Sequence, residues 1–221
     1  MTGFLVIGCF ERKLDLFQTC GIGTGIMKTP IFLLVDVSRY SFREGNEVLS
    51  RKVKTFFDVL QSEGLACDNC YVSVISFSDS CVENLPLTPI SFDCEFPRLT
   101  LRTSYKANLA NALEKTRQIV LSITEHRTPE APSWYKPMIF IFSDCYSDFE
   151  FHENIPFNKL FKPMPIVVPL SANYNMENTQ KITSAVITVD KNDAALYRDI
   201  WKDLFSSISI PASVIELYKF K

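Results

Sequence analysis

The stretch Pro30-Ile31-Phe32-Leu33-Leu34-Val35-Asp36-Val37-Ser38-Arg39-Tyr40 decides the reading of this chain. Five apolar residues run unbroken from Ile31 to Val35. Such a run predicts a strand buried on both faces, the pattern of a parallel sheet covered by helices. Asp36 and Ser38 follow where that strand should end. In open α/β sheets the carboxyl ends of the strands form the crevice in which ligands bind. A carboxylate and a hydroxyl two residues apart can there face one hard cation, or hold the loop by hydrogen bonds.

The rest of the chain alternates strand and helix around this core strand. Glu44 to Ser62 reads as a helix, with Val48, Leu49, Val53, Phe56, Phe57 and Leu60 at helical spacing. Tyr71 to Phe77 is β-branched and aromatic, a second strand. Cys81 to Leu85 follows the turn-prone Ser78-Asp79-Ser80 and is expected to pair back as a hairpin, with Pro86 and Pro89 then breaking regular structure. Asn108 to Thr124 is a second long helix. Met138 to Phe142 is another all-apolar strand, ending in Ser143-Asp144. A strand over Ile166 to Leu170, a short helix over Met176 to Ser184, a final strand over Ala185 to Val189 and a last helix over Asp193 to Ser207 complete the expectation. This order predicts an α/β fold, a doubly wound and mostly parallel sheet flanked by helices.

Length and composition agree with one such domain. The chain has 221 residues, 47% of them hydrophobic, which is enough for a large core. The net charge is −2 and no Lys/Arg cluster appears, which argues against a nucleic-acid phosphate track. There is no apolar run of the length a transmembrane helix needs. Phe4 to Phe10 is apolar but too short, and lacks the preceding basic segment of a signal peptide. The seven Cys are scattered and odd in number, which suits reduced thiols and a cytoplasmic setting. Cys67-Asp68-Asn69-Cys70 is a lone Cys-x-x-Cys without the second pair that a zinc site wants. Residues 1–28 read as an N-terminal extension or appended hairpin, and residues 29–221 as the domain.

Several stretches together carry a family resemblance: Pro30 to Ser38; Tyr71 to Phe77 with Leu85-Pro86-Leu87-Thr88; Asn108-Leu109-Ala110-Asn111-Ala112-Leu113; and Trp134 to Asp144. The chain resembles the von Willebrand factor type A (VWA) domains, a Rossmann-like three-layer sandwich, and within them the bacterial tellurium-resistance branch typified by TerY. That family carries an Asp-x-Ser-x-Ser motif at the end of its first strand, part of a metal-ion-dependent adhesion site (MIDAS) built from five side chains on three loops. The resemblance places its ligands at Asp36, Ser38 and Asp144, while Tyr40 and Ala107 stand where the family has Ser and Thr. Thr103 or Ser104 could replace the missing Thr only with a rearranged loop, which their spacing does not favour.

Mg²⁺ demands near-octahedral oxygen ligation. With two of five positions lost, the expectation is a degenerate site with no cofactor or only weak Mg²⁺, the latter completed by an acidic group from a partner. Arg39 is a candidate to neutralise the two carboxylates. Asp148 is expected to be a turn residue, His126 and His152 are isolated, and Cys145 has no recognisable base. No Ser/His/Asp set or phosphate-cradling glycine loop is present. The expected function is a non-enzymatic protein-interaction module with Arg39 and Tyr40 at the contact surface. The resemblance implies a cytoplasmic bacterial protein of tellurite or stress resistance, with a protein kinase and a PP2C-type phosphatase as partners. Two alternatives stand beside it: a Mg²⁺-dependent hydrolase or phosphatase using Asp36 and Asp144, and an extracellular adhesin.

Overall fold

The computed structural model describes residues 27–39, 46–62, 69–125, 133–134, 137–146, 165–183, 185–187 and 198–202. Strand β1 (Met27–Asp36) is its centre. Residues Ile31 to Val35 are fully buried, as an unbroken apolar run requires. β1 pairs in parallel with β2 (Cys70–Phe77) on one side and β5 (Met138–Phe142) on the other. β3 (Cys81–Pro89) lies antiparallel against β2, and β6 (Pro165–Val168) lies parallel against β5. The short β4 (Ser133–Trp134) pairs with Met27 and Lys28. The sheet order is thus β3-β2-β1-β5-β6, with β4 beside the start of β1.

The pleat divides the core into two layers, because alternate residues of a strand face opposite sides. Ile31, Leu33, Val35 and Val37 pack with Leu49, Val53, Phe56, Phe57 and Leu60 of helix α1 (Asn46–Ser62). Phe32 and Leu34 pack with Leu109, Ala112, Leu113 and Val120 of helix α2 (Leu109–Glu125). Phe56 anchors the first layer. Its ring meets those of Phe140 at 4.7 Å, Phe142 at 5.8 Å and Trp201 at 4.7 Å, all edge-on. Each such buried aromatic contributes roughly 1.5–3 kcal/mol by removal from water. A third helix, α3 (Met176–Ile182), is capped by Asn175, whose side chain accepts the Asn178 N–H.

The structure shifts three expectations. β3 runs through Pro86 to Pro89 rather than stopping before it. Among the described residues it is the outermost strand, with one edge outside the ladder, where a missing N–H does no harm. The strand expected over Ala185 to Val189 is, among the described residues, a single bridge between Val186 and Val167. β1 starts at Met27, ahead of the apolar run that begins at Ile31, and β4 pairs with its first two residues. The last helix is visible as helical residues 198–202, which bury Trp201 in the first core layer. Of the N-terminal extension expected over residues 1–28, residues 1–26 lie outside the described residues. No described helix is long and apolar enough to cross a membrane.

Candidate functional site

The carboxyl ends of β1, β2, β5 and β6 meet at one rim of the sheet, and β1 delivers Asp36 to it. Asp36 is 2% exposed. Its Oδ1 accepts the Ser38 N–H at 2.9 Å, and its Oδ2 accepts the Ser143 hydroxyl at 2.7 Å. The first bond closes a local Asx-type turn, the second clamps the end of β1 to the end of β5. Ser143 Oγ in turn accepts the Cys145 N–H at 3.0 Å. Cys145 adopts φ 57°, a left-handed conformation that costs a non-glycine residue about 1–2 kcal/mol. Hydrogen bonds on both sides hold it there: its N–H goes to Ser143, and its carbonyl accepts the Asn178 side-chain amide at 3.0 Å.

Asp144 faces the other way, toward the loop after β6. Its Oδ1 accepts the backbone N–H groups of Leu170 and Ser171, each at 2.7 Å. Its carbonyl accepts the Asn175 N–H at the start of α3. Burial pushes the Asp144 carboxyl above its ordinary value, against the opposing pull of the Ser171 and Leu170 bonds and of the Lys52 charge. Lys52, on α1 and 7% exposed, donates its ammonium to the Leu170 carbonyl. The site therefore contains a buried cation from its own chain, placed among apolar neighbours at the 49/52/53/56 stripe of the helix. A charged residue in that stripe was the sequence signal for it. Ser143 carried no such signal beyond its place before Asp144, and Tyr105 none.

The loop after Asp36 is pinned by backbone bonds. The Val37 N–H donates to Phe77 O, Arg102 N–H to Val37 O, and Arg39 N–H to Ser104 O at 2.8 Å. Arg39 is exposed, and its guanidinium sits 5.0 Å from the centroid of the Tyr105 ring. It does not neutralise the carboxylates: among the described residues it forms no ion pair. Ala107 is buried at the start of α2, next to Asn108, whose N–H reaches Ser78 O and whose side chain caps the helix through the Asn111 N–H. Ser104 Oγ is occupied by the Lys106 N–H, and Thr103 is exposed. Tyr40, Cys67, His126, Asp148 and His152 lie outside the described residues.

The oxygens at this rim are unequally committed to hydrogen bonds within the chain. Ser38 is fully buried, and its Oγ has no hydrogen-bond partner, which costs about 1–3 kcal/mol unless a water or an ion supplies one. Asp36, beside it, has both carboxylate oxygens engaged, Oδ1 by the Ser38 N–H and Oδ2 by the Ser143 hydroxyl. Asp144 has already committed Oδ1 to two amides and lies near a buried ammonium, while Ala107 brings no donor. Among the described residues no group of three or more His, Cys, Asp or Glu is arranged to hold a metal ion. Among the described residues most oxygens at this rim are thus engaged within the chain, and a Mg²⁺ held here would keep waters in its remaining positions. At Cys145, desolvation pushes the thiol up to about 11, so it is protonated at neutral pH.

No family model matches the chain, and no curated protein matches it. Solved structures do. Proximal thread matrix protein 1 from the mussel byssus aligns with a TM-score of 0.60 at 13% identity, over 83% of this chain and 48% of that one. Another structure of the same mussel protein, described as having a zinc-occupied MIDAS motif, aligns with a TM-score of 0.56 at 14% identity, over 81% of this chain and 46% of that one. A von Willebrand factor type A protein from Catenulispora acidiphila gives 0.56 at 12% identity, over 80% and 42% of the two chains. The chain spans about half the length of these proteins or less. At such identities the likeness shows the fold, and the fold is that of VWA domains.

Proposed function

We propose that this chain is a non-enzymatic protein-interaction module of the VWA type with a weakened metal site, resembling the TerY-type proteins of bacterial tellurite and stress resistance. The observation that carries the reading is the exposed Arg39–Tyr105 pair on a loop anchored to the strand-end carboxylate. Arg and Tyr are the residue types that dominate binding energy at protein interfaces. A pair already stacked loses little side-chain freedom when a partner docks. The internal use of Asp36 and Asp144 supports the same reading, since both carboxylates hold loops through hydrogen bonds. The resemblance makes a protein kinase and a PP2C-type phosphatase the partners to test, in a cytoplasmic setting. Tyr40 belongs to the proposed contact surface by its place in the sequence beside Arg39.

One observation favours a second reading. The orphaned Ser38 hydroxyl beside Asp36 is where a cation would sit in a Mg²⁺-dependent hydrolase using Asp36 and Asp144, and the mussel protein is described with zinc in a MIDAS motif. Proximity labelling in cells, comparing the wild type with an Arg39→Ala/Tyr105→Ala double variant, separates the two. The interaction reading expects a discrete set of neighbours that the double variant loses while its thermal unfolding is unchanged. Identical neighbours in both would remove this surface from the account. Mg²⁺-dependent hydrolysis of p-nitrophenyl phosphate that disappears in a folded Asp36→Ala protein would establish the second reading instead.

A further inference from the structure

The segment that follows β3 crosses α1 and leaves a groove of about 510 Å³ between them. The segment is fixed to the helix at two points. The Gln61 side-chain amide donates to Ser91 O at 2.7 Å and Cys94 O at 2.5 Å, and the Phe96 ring meets Phe57 edge-on at 5.5 Å. Phe96 and Leu99 give the groove apolar walls, while Arg51, Lys54, Arg98 and Asp58 supply its charges. Three cations against one carboxylate leave a net charge of +2 here, in a chain whose net charge is −2. Arg51 and Arg98 are exposed and form no ion pair among the described residues. Lys54 bonds Asp58 at 2.7 Å across one helical turn, an exposed pair of the kind worth under about 1 kcal/mol.

We infer that this groove binds a phosphorylated peptide segment of a partner protein. The phosphoryl group sits between the two guanidinium groups and an adjacent apolar side chain lies on Phe96 and Leu99. Charge decides between anions. A phosphorylated side chain carries about −1.5 to −2 at neutral pH, matching the groove, whereas a single carboxylate leaves one guanidinium unmatched. Guanidinium forks bind phosphate oxygens in pairs, and the site supplies two forks. Its concave shape with apolar walls suits a peptide side chain better than a lipid headgroup layer. The groove is built from α1 and residues 96–99, so it does not depend on the Arg39–Tyr105 surface or on the strand-end carboxylates.

The test uses the full chain and an oriented peptide library with a fixed phosphothreonine beside a leucine, read by fluorescence anisotropy at physiological ionic strength. The comparison probes are the unphosphorylated twin library, inorganic phosphate alone, and vesicles containing phosphatidylserine. The expected result is saturable binding of the phosphorylated library, with little binding of its twin. Arg51→Ala/Arg98→Ala should weaken it about tenfold or more, the loss expected of charge-assisted hydrogen bonds. Arg51→Lys/Arg98→Lys should fall in between, because charge is kept and the fork is lost. Equal binding of both libraries, binding indifferent to the arginine variants, binding of vesicles in preference to peptide, or no binding of the library would each overturn the proposal. Phosphate alone binding as tightly as the library would reduce the groove to an anion site and overturn the peptide assignment.

Discussion

Ser143 Oγ donates to Asp36 Oδ2 at 2.7 Å, joining the ends of two neighbouring strands whose residues stand 107 positions apart. The bond is buried, and the same hydroxyl also accepts the Cys145 N–H. Ser143→Ala should therefore lower stability by about 1.5–3 kcal/mol, the range for losing a hydrogen bond to a charged group. Urea unfolding measures it. A change within about 0.5 kcal/mol, typical of an exposed position, would mean that Asp36 does not rely on this hydroxyl.

The pH dependence of stability should carry the mark of Asp144. Its folded carboxyl titrates above the ordinary aspartate value of 3.8 because burial penalises the charge. The native state then holds a proton that the unfolded state has already lost, so stability falls as pH rises from 3.8 through the folded value. Asp144→Asn retains an oxygen acceptor for Leu170 and Ser171 but cannot titrate. The wild type should lose stability relative to this variant across that window, as measured by thermal unfolding at a series of pH values. Parallel curves would contradict the assignment.

Lys52 pulls the Asp144 carboxyl downward, in opposition to burial. Removing the ammonium in Lys52→Met should raise the Asp144 titration further above its wild-type position. Carbon-detected NMR of the aspartate carboxyls reads this directly. The substitution also leaves the Leu170 carbonyl without its ammonium donor, so a loss of stability should accompany the shift. An unchanged or lowered titration would show that the Lys52 charge does not reach the carboxylate.

Cys145 should resist alkylation in the folded protein. Its thiol is fully buried and pushed up to about 11, so both access and thiolate are scarce at neutral pH. Cys81 and Cys94 also titrate above the ordinary thiol value, raised by burial, but both are only partly buried. Mass spectrometry after a short iodoacetamide pulse should find Cys81 and Cys94 labelled ahead of Cys145. Early labelling of Cys145 would mean that the loop after β5 opens readily.

The sheet was legible because its central strands are contiguous apolar runs. Ile31 to Val35 and Met138 to Phe142 need no other signal, and the α1 stripe of Leu49, Val53, Phe56 and Leu60 is set by helical spacing alone. Pro86 misled because a proline marks a break only where its N–H is needed, and edge position is not visible in a single strand's sequence. The site was half legible. Asp36, Ser38 and Asp144 do stand at the strand ends, at 2%, 0% and 3% exposure. Their partners were hidden for a physical reason: Asp144 is satisfied by the backbone amides of Leu170 and Ser171, and any residue type carries those. Tyr105 lies far from Arg39 in the chain, and the backbone bonds from Arg39 N–H to Ser104 O and from Arg102 N–H to Val37 O bring it alongside.

The central proposal is that Asp36 and Asp144 serve to hold loops in place and that the rim keeps no divalent cation. Calorimetric titration of Mg²⁺ and Mn²⁺ into the wild type, Ser38→Ala and Asp144→Ala proteins tests it most directly. The account predicts no saturable heat in any of the three at millimolar cation. Saturable binding in the wild type that both substitutions abolish, with the fold intact, would contradict it and make the rim a working metal centre.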